Sequence, residues 1–219
     1  MRNWGMYVQK NVWMSPASRH FRGWLVIFLI LHGTLFTSFT FSRLVVPAYA
    51  ENIQYPSFGN DKSHTEIIIY SDYFCPACLI LDSQLSNTLR NLENQVKIRF
   101  VDVPLHPGSL EFAKVFLYTW FESGNNLERA MRVRDILFRE AKMRMSHRKV
   151  MRILNVQGIP YKQDEETANI IFRQINNPLM KMDKIHATPT MVIVKGNKRQ
   201  SYTGTVEILK AIEELTAHP

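Results

Sequence analysis

The sequence predicts an α/β fold in the order β-α-β, then a block of helices, then β-β-α. Three observations carry that prediction. Two short β-branched runs, "TEIIIYSDY" (65–73) and "VKIRFVDV" (96–103), flank a stretch with leucines at helical spacing. From Pro104 to about Pro178 the pattern is helical throughout. The β pattern then returns in "TPTMVIVKG", followed by a turn at Gly196-Asn197 and a second run, "KRQSYTG".

Residues 51–63, "ENIQYPSFGNDKS", are polar and turn-rich and are taken as a leader. The first run is nearly continuous in apolar residues, as suits a strand covered on both faces. Behind it Leu79, Leu81, Leu85, Leu89 and Leu92 recur at helical spacing. A helix joining two strands makes their pairing parallel, because a parallel pair needs a crossover of this length. The helical block, about 105–178, divides into four segments: "GSLEFAKVFLYTWFESG", "NLERAMRVRDILFREAKMRM", "SHRKVMRILNVQG" and "DEETANIIFRQINN". The last carries its acidic residues in the first turn, where the helix dipole favours them. "TVEILKAIEELTA" closes the chain as a helix.

Residues 1–50 have the character of an export segment. Arg19 and Arg22 precede the apolar run Trp24 to Phe41, and Ala48-Tyr49-Ala50 supplies an A-x-A site before Glu51. Basic, apolar and small-residue regions in that order describe a secretory signal peptide. Residues 24–41 also approach the roughly 18–20 residues of a membrane anchor, so retention is the alternative. The long basic region makes Met14 a second candidate start. Both readings export the remainder. The segment holds Arg2, Lys10, Arg19, Arg22 and Arg43 and no acid, so 22 basic residues face 19 acidic ones afterwards, a net charge of +3 against +8 for the whole chain. The basicity belongs mainly to the export segment, and no nucleic-acid partner is implied.

Only two cysteines occur, Cys75 and Cys78 in "SDYFCPACL". As a structural staple they would close a very short loop, which stabilises little. As a zinc site they lack companions, since structural zinc wants four Cys/His ligands. His64, His106, His147, His186 and His218 are scattered without ligand spacing, so no metal and no other cofactor is expected. A redox pair fits better. Cys75 falls where a strand hands over to a helix, and free N–H groups and the dipole there favour a thiolate. Pro76 suits the first helical position, where its missing N–H costs nothing. Cys78 lies one turn later, within reach of a mixed disulfide. Thr188-Pro189, in "HATPT", opens the late strand; read alone, it marks a strand boundary.

Together, "SFGNDKSHTEIIIYSDYFCPAC", "VPLHPGS" and "HATPTMVIVKG" resemble the DsbA-like family of thioredoxin-fold thiol:disulfide oxidoreductases over nearly all of residues 56–216. The resemblance implies a thioredoxin-like fold for residues 51–219, with the helical block as its insertion. It implies that Cys75 is the exposed nucleophile and Cys78 the buried resolving thiol. It also implies that Thr188-Pro189 is cis and packs against the disulfide. Members commonly carry an acid six positions before the first cysteine; here that residue is Ile69. Attack by Cys78 is therefore expected to be slower, not abolished, while Asp72 is retained.

Pro76 and Ala77 bring no cation to the dithiol, which places the expected potential between the thioredoxin value of about −270 mV and the DsbA value of about −120 mV. His186 is a candidate for tuning it, with an exposed loop histidine as the plainer alternative. The function implied is a periplasmic oxidase that exchanges its disulfide with unfolded or partly folded exported proteins and is reoxidised by a DsbB-like membrane partner. That direction is preferred because residues 51–219 hold no N-terminal dimerisation domain of the kind isomerases carry. The alternatives are a reductase or isomerase served by a DsbD-like partner, or a client-binding chaperone with a secondary dithiol. Charges in "RMSHRKVMR" (144–152) are read as a solvated helix face, and Phe112, Phe116, Tyr118, Trp120 and Phe121 as core.

Overall fold

A computed structural model describes residues 55–217. The export segment 1–50, including the candidate anchor 24–41, lies outside the described residues. Among the described residues five strands form one sheet: β1 (Ser57–Gly59), β2 (Thr65–Ser71), β3 (Lys97–Asp102), β4 (Thr190–Lys195) and β5 (Lys198–Thr203). Their order is β1-β3-β2-β4-β5. Only β2 and β3 run parallel; the other pairings are antiparallel. The helix that joins the parallel pair is α1 (Pro76–Leu92). This is the thioredoxin-like α/β fold expected from sequence.

Strand alternation divides the sheet into two faces. In the β2–β3 register Ile67 lies beside Ile98, Ile69 beside Phe100 and Ser71 beside Asp102. Ile67, Ile69, Ile98 and Phe100 join the main core with Leu81, Leu85 and Leu89 of α1 and Ile208 and Ile212 of the last helix, α7 (Thr205–Ala217). Ile68, Tyr70, Val101, Val103 and Val192 form the smaller core on the opposite face.

Between β3 and β4 come α2 (Ser109–Ser123), α3 (Leu127–Lys142), α4 (His147–Val156) and α5 (Glu165–Ile171). Phe112, Phe116, Tyr118 and Trp120 of α2 are buried in the main core, and Phe121 packs against it. Asn126 caps α3 by accepting the Arg129 N–H at 2.8 Å, the arrangement that satisfies an otherwise orphaned donor.

Two elements differ from the sequence expectation. The leader contains β1, whose three residues pair antiparallel with β3. Such a short strand gives no readable alternation, and its pairing is what defines it. Helix also continues past Pro178: a wide turn (Phe172–Asn176) leads into α6 (Asn177–Met182), with Pro178 in its first positions. The wide turn ends just before the proline, and its last bond runs from the Asn177 N–H back to the Phe172 carbonyl. Tertiary packing keeps the segment in place: Leu179, Met180 and Ile185 cover the smaller core, and Asp183 accepts from both Tyr70 Oη and Arg199. The β pattern resumes only at Thr190.

Candidate active site

Both cysteines stand at the end of the sheet where the parallel strands β2 and β3 finish. The loop Asp72–Cys75 follows β2 directly and is tied down by one buried carboxylate. Asp72 accepts from the N–H groups of Phe74 (2.7 Å), Leu105 (2.7 Å) and His106 (3.0 Å) and from Ser109 Oγ (2.6 Å). His106 Nδ1 lies 3.0 Å from the same carboxylate. Asp72, taken from sequence as a tuning residue, thus uses its side chain to lock the dithiol loop onto the loop before α2. Gly108 closes that second loop with φ +88, and a Cβ there would come within 3.6 Å of the Phe74 ring. The left-handed backbone conformation favours glycine at this position, while the ring would meet an added Cβ at an ordinary contact distance.

Cys75 is the N-cap of α1 and Pro76 begins the helix. Cys75 is 8% exposed and Cys78 1%. Donors converge on the Cys75 sulfur and lower its pKa to about 5: foremost the Cys78 thiol, with the Thr188 hydroxyl and the N–H groups of Cys78 and Ala77, against an opposing contribution from burial. The Cys78 N–H reaches it at 3.4 Å. As a thiol, Cys75 can instead donate to the Thr188 carbonyl, also at 3.4 Å. Cys78 moves the opposite way. Giving its proton to the bond with Cys75, and burial, push its pKa far up, while the Asp72 N–H and the Thr188 hydroxyl oppose the rise only in part. At neutral pH the pair therefore holds one thiolate, on Cys75, and one thiol, on Cys78.

The Thr188–Pro189 peptide bond is cis. Thr188 lies against the dithiol across 113 residues of sequence, which brings the two motifs together. Ala77 contributes through its backbone: its N–H faces Cys75, and its carbonyl accepts from Thr205 Oγ1 at 3.2 Å. His186 is exposed. Ile69 is fully buried in the main core.

Sequence reasoning missed a buried charged cluster behind the dithiol. Asp82 lies on the buried face of α1 one turn after Cys78. Arg134 of α3, with 0% exposure, donates from Nε to Asp82 at 2.7 Å and from Nη2 to Ser71 Oγ at 3.0 Å. Its Nη1 is 3.6 Å from Asp102, and its guanidinium lies 4.2 Å from the centre of the Phe100 ring. Burial raises the pKa of both carboxyls, that of Asp102 to about 7, against the pull of Arg134. By strand register Asp102 shares the sheet face of Ile69, one strand over and two pairs nearer the dithiol end. A carboxylate interrupting the leucine stripe of α1 was the readable sign; its partner on α3 was not. Among the described residues, no group of three or more His, Cys, Asp or Glu side chains is placed to hold a metal ion. No described helix is long and apolar enough to cross a membrane.

A concavity of about 370 Å³ opens beside Cys75, between α1 and the end of α3. Phe74, Leu79, Ile80 and Phe138 give it apolar walls, and Lys142 and Arg144 stand among its lining residues.

With this geometry in view, comparison with known proteins gives the family. A family profile described as thioredoxin matches residues 51–214. The chain belongs to the thioredoxin family. Solved structures similar to it include a periplasmic thioredoxin-like protein from Salmonella enterica serovar Typhimurium, with TM-score 0.56 and 21% identity over 75% of this chain and 90% of that one. The catalytic domain of Proteus mirabilis ScsC matches with TM-score 0.56 and 20% identity, covering 74% and 89%. Pseudomonas aeruginosa DsbA2 matches with TM-score 0.53 and 17% identity, covering 75% and 95%. The thioredoxin family and fold expected from sequence therefore hold, and the DsbA2 and ScsC structures share that fold. No curated protein sequence matches the chain significantly.

Proposed function

We propose that this thioredoxin-family protein is an exported, periplasmic thiol:disulfide oxidoreductase acting as an oxidase on cysteine-bearing exported proteins. The observation that carries the reading is the asymmetry of the pair, with the Cys75 pKa drawn down to about 5 by converging donors. Stabilising that thiolate stabilises the reduced form, so the protein tends to give its disulfide away.

In the oxidised protein a client thiolate attacks Cys75 Sγ. The Cys75–Cys78 bond breaks, a mixed disulfide forms, and Cys78 leaves and takes up a proton. The client's second thiolate then attacks its own sulfur in the mixed disulfide, and Cys75 departs as a thiolate held by the N–H groups of Ala77 and Cys78. Two client thiols become a disulfide, and the protein keeps the two electrons. A DsbB-like membrane partner removes them. Thr188 and Pro189 bound the site opposite α1, and Asp72 fixes the loop presenting Cys75. The periplasmic assignment rests on the export segment and on the periplasmic neighbour from Salmonella.

Equilibration with glutathione buffers, followed by counting free thiols, tests the direction. The reading expects a potential on the oxidising side of about −200 mV, toward the DsbA value of about −120 mV. A value near the thioredoxin figure of about −270 mV would overturn the oxidase reading and favour a reductase.

A further inference from the structure

Among the described residues, seven large hydrophobic side chains are exposed, and one of them, Ile80, lines the concavity beside Cys75. A second, Met143, falls in the chain between the lining residues Lys142 and Arg144. An exposed apolar wall beside the reactive sulfur suits contact with a partner.

The charges at the concavity are all of one sign. Lys142 and Arg144 are exposed, and neither forms an ion pair among the described residues, whereas Arg139, one turn earlier, is paired with Asp135. The concavity, about 370 Å³, is at the small end of ligand sites, which run to about 300–1,000 Å³. It suits one or two side chains of an extended segment. In such a segment alternate side chains point the same way at roughly 3.3 Å per residue. A client cysteine bonded to Cys75 therefore directs the residue two positions away toward the groove.

We infer that this groove selects client segments carrying a large apolar residue two positions from the reacting cysteine and a carboxylate in the next two positions. The apolar side chain enters between Ile80 and Phe138, and the carboxylate meets Lys142 and Arg144. This names a substrate class for the site and rests on the oxidoreductase reading above.

The test uses peptides in which serine replaces cysteine, so that binding is measured without exchange. A leucine stands two positions from the serine, on either side, followed by glutamate or by lysine. Binding is followed by NMR titration of the full exported chain. The glutamate peptide is expected to bind roughly tenfold more tightly at low salt, within the range of electrostatic attraction by a charged cleft. The ratio should fall below about twofold near 1 M salt, where charges are screened beyond about 3 Å. The Lys142→Glu/Arg144→Glu protein should invert the preference; Lys142→Glu alone should reduce it and serves if the double variant misfolds. Equal affinity for the two peptides, a preference that survives charge reversal, or shifts that leave Leu79 and Ile80 unmoved would each overturn the inference. Oxidation of dithiothreitol by the wild-type protein tests the redox reading separately, so failure of one is not mistaken for failure of the other.

Discussion

Replacing Arg134 by methionine tests how much the charged cluster behind the dithiol contributes to the fold. Arg134 is wholly buried, donates to Asp82 at 2.7 Å and to Ser71 at 3.0 Å, and faces Asp102 at 3.6 Å. Methionine keeps much of the volume and can pack on Phe100 and Phe138, so little of the loss comes from a cavity. What remains is two buried carboxyls without their cation. Removing one partner from such a cluster costs about 3–5 kcal/mol. For a domain of this size that corresponds to a drop of roughly 6–20 °C in Tm.

The sign of the pH effect follows from the same groups. Without Arg134 the folded-state pKa values of Asp82 and Asp102 rise further, and that of Asp102 is already about 7. At pH 5 the folded variant can hold Asp102 neutral, whereas at pH 8 it must carry a buried, unpaired charge or bind a proton against the gradient. The loss should therefore be larger at pH 8 than at pH 5, by at least about 1 kcal/mol. Urea denaturation of wild type and Arg134→Met at the two pH values measures both quantities. A loss below about 1 kcal/mol at pH 8, or the same loss at both pH values, refutes the reasoning.

Other outcomes follow from the site. Asp72→Ala strips acceptors from the N–H groups of Phe74, Leu105 and His106 and from the Ser109 hydroxyl, and should cost about 2–4 kcal/mol; hydrogen exchange at Leu105 and His106 should accelerate. The reduced protein should gain stability relative to the oxidised one as pH rises from about 5 toward the ordinary thiol value of about 8.5, because the folded Cys75 pKa is depressed and its stabilising contribution disappears as pH falls to about 5; denaturation of both forms across that range checks it. Ile69→Glu, placing a carboxylate in the core face beneath the dithiol, should speed release of a mixed disulfide by Cys78 at neutral pH; an unchanged rate shows that the missing acid is not what limits Cys78.

Much of this arrangement could be read from the chain before the fold was known. The parallel β2–β3 pair followed from two β-branched runs with a leucine-spaced helix between them, and the dithiol's place from its position at that junction. These are local patterns, carried by adjacent residues. The misses were not local. Nothing in the residues around Asp102 announces that Arg134, on a helix far along the chain, will reach it. Helix persists beyond Pro178 because Leu179 and Met180 cover the Ile68–Tyr70 face, a contact that exists only in the folded molecule. Ala77 was weighed by its side chain, which brings no cation, yet its N–H faces Cys75, and residue type does not reveal that.

The central claim is that Cys75 and Cys78 form an asymmetric redox pair in which Cys75 is the attacking thiolate. Its most direct test is reaction of the reduced Cys78→Ala protein with an aromatic disulfide between pH 4 and 9, with the adduct located by mass spectrometry. Cys78 is the largest cause of the lowered Cys75 pKa, so the variant should lose part of that lowering and keep the part due to backbone donors and Thr188. The account predicts an adduct on Cys75 whose formation is half-maximal below the ordinary thiol value of about 8.5, and at a lower pH still in the wild-type protein. A rate that follows an ordinary thiol in both proteins, or wild-type adduct found chiefly on Cys78, would contradict it.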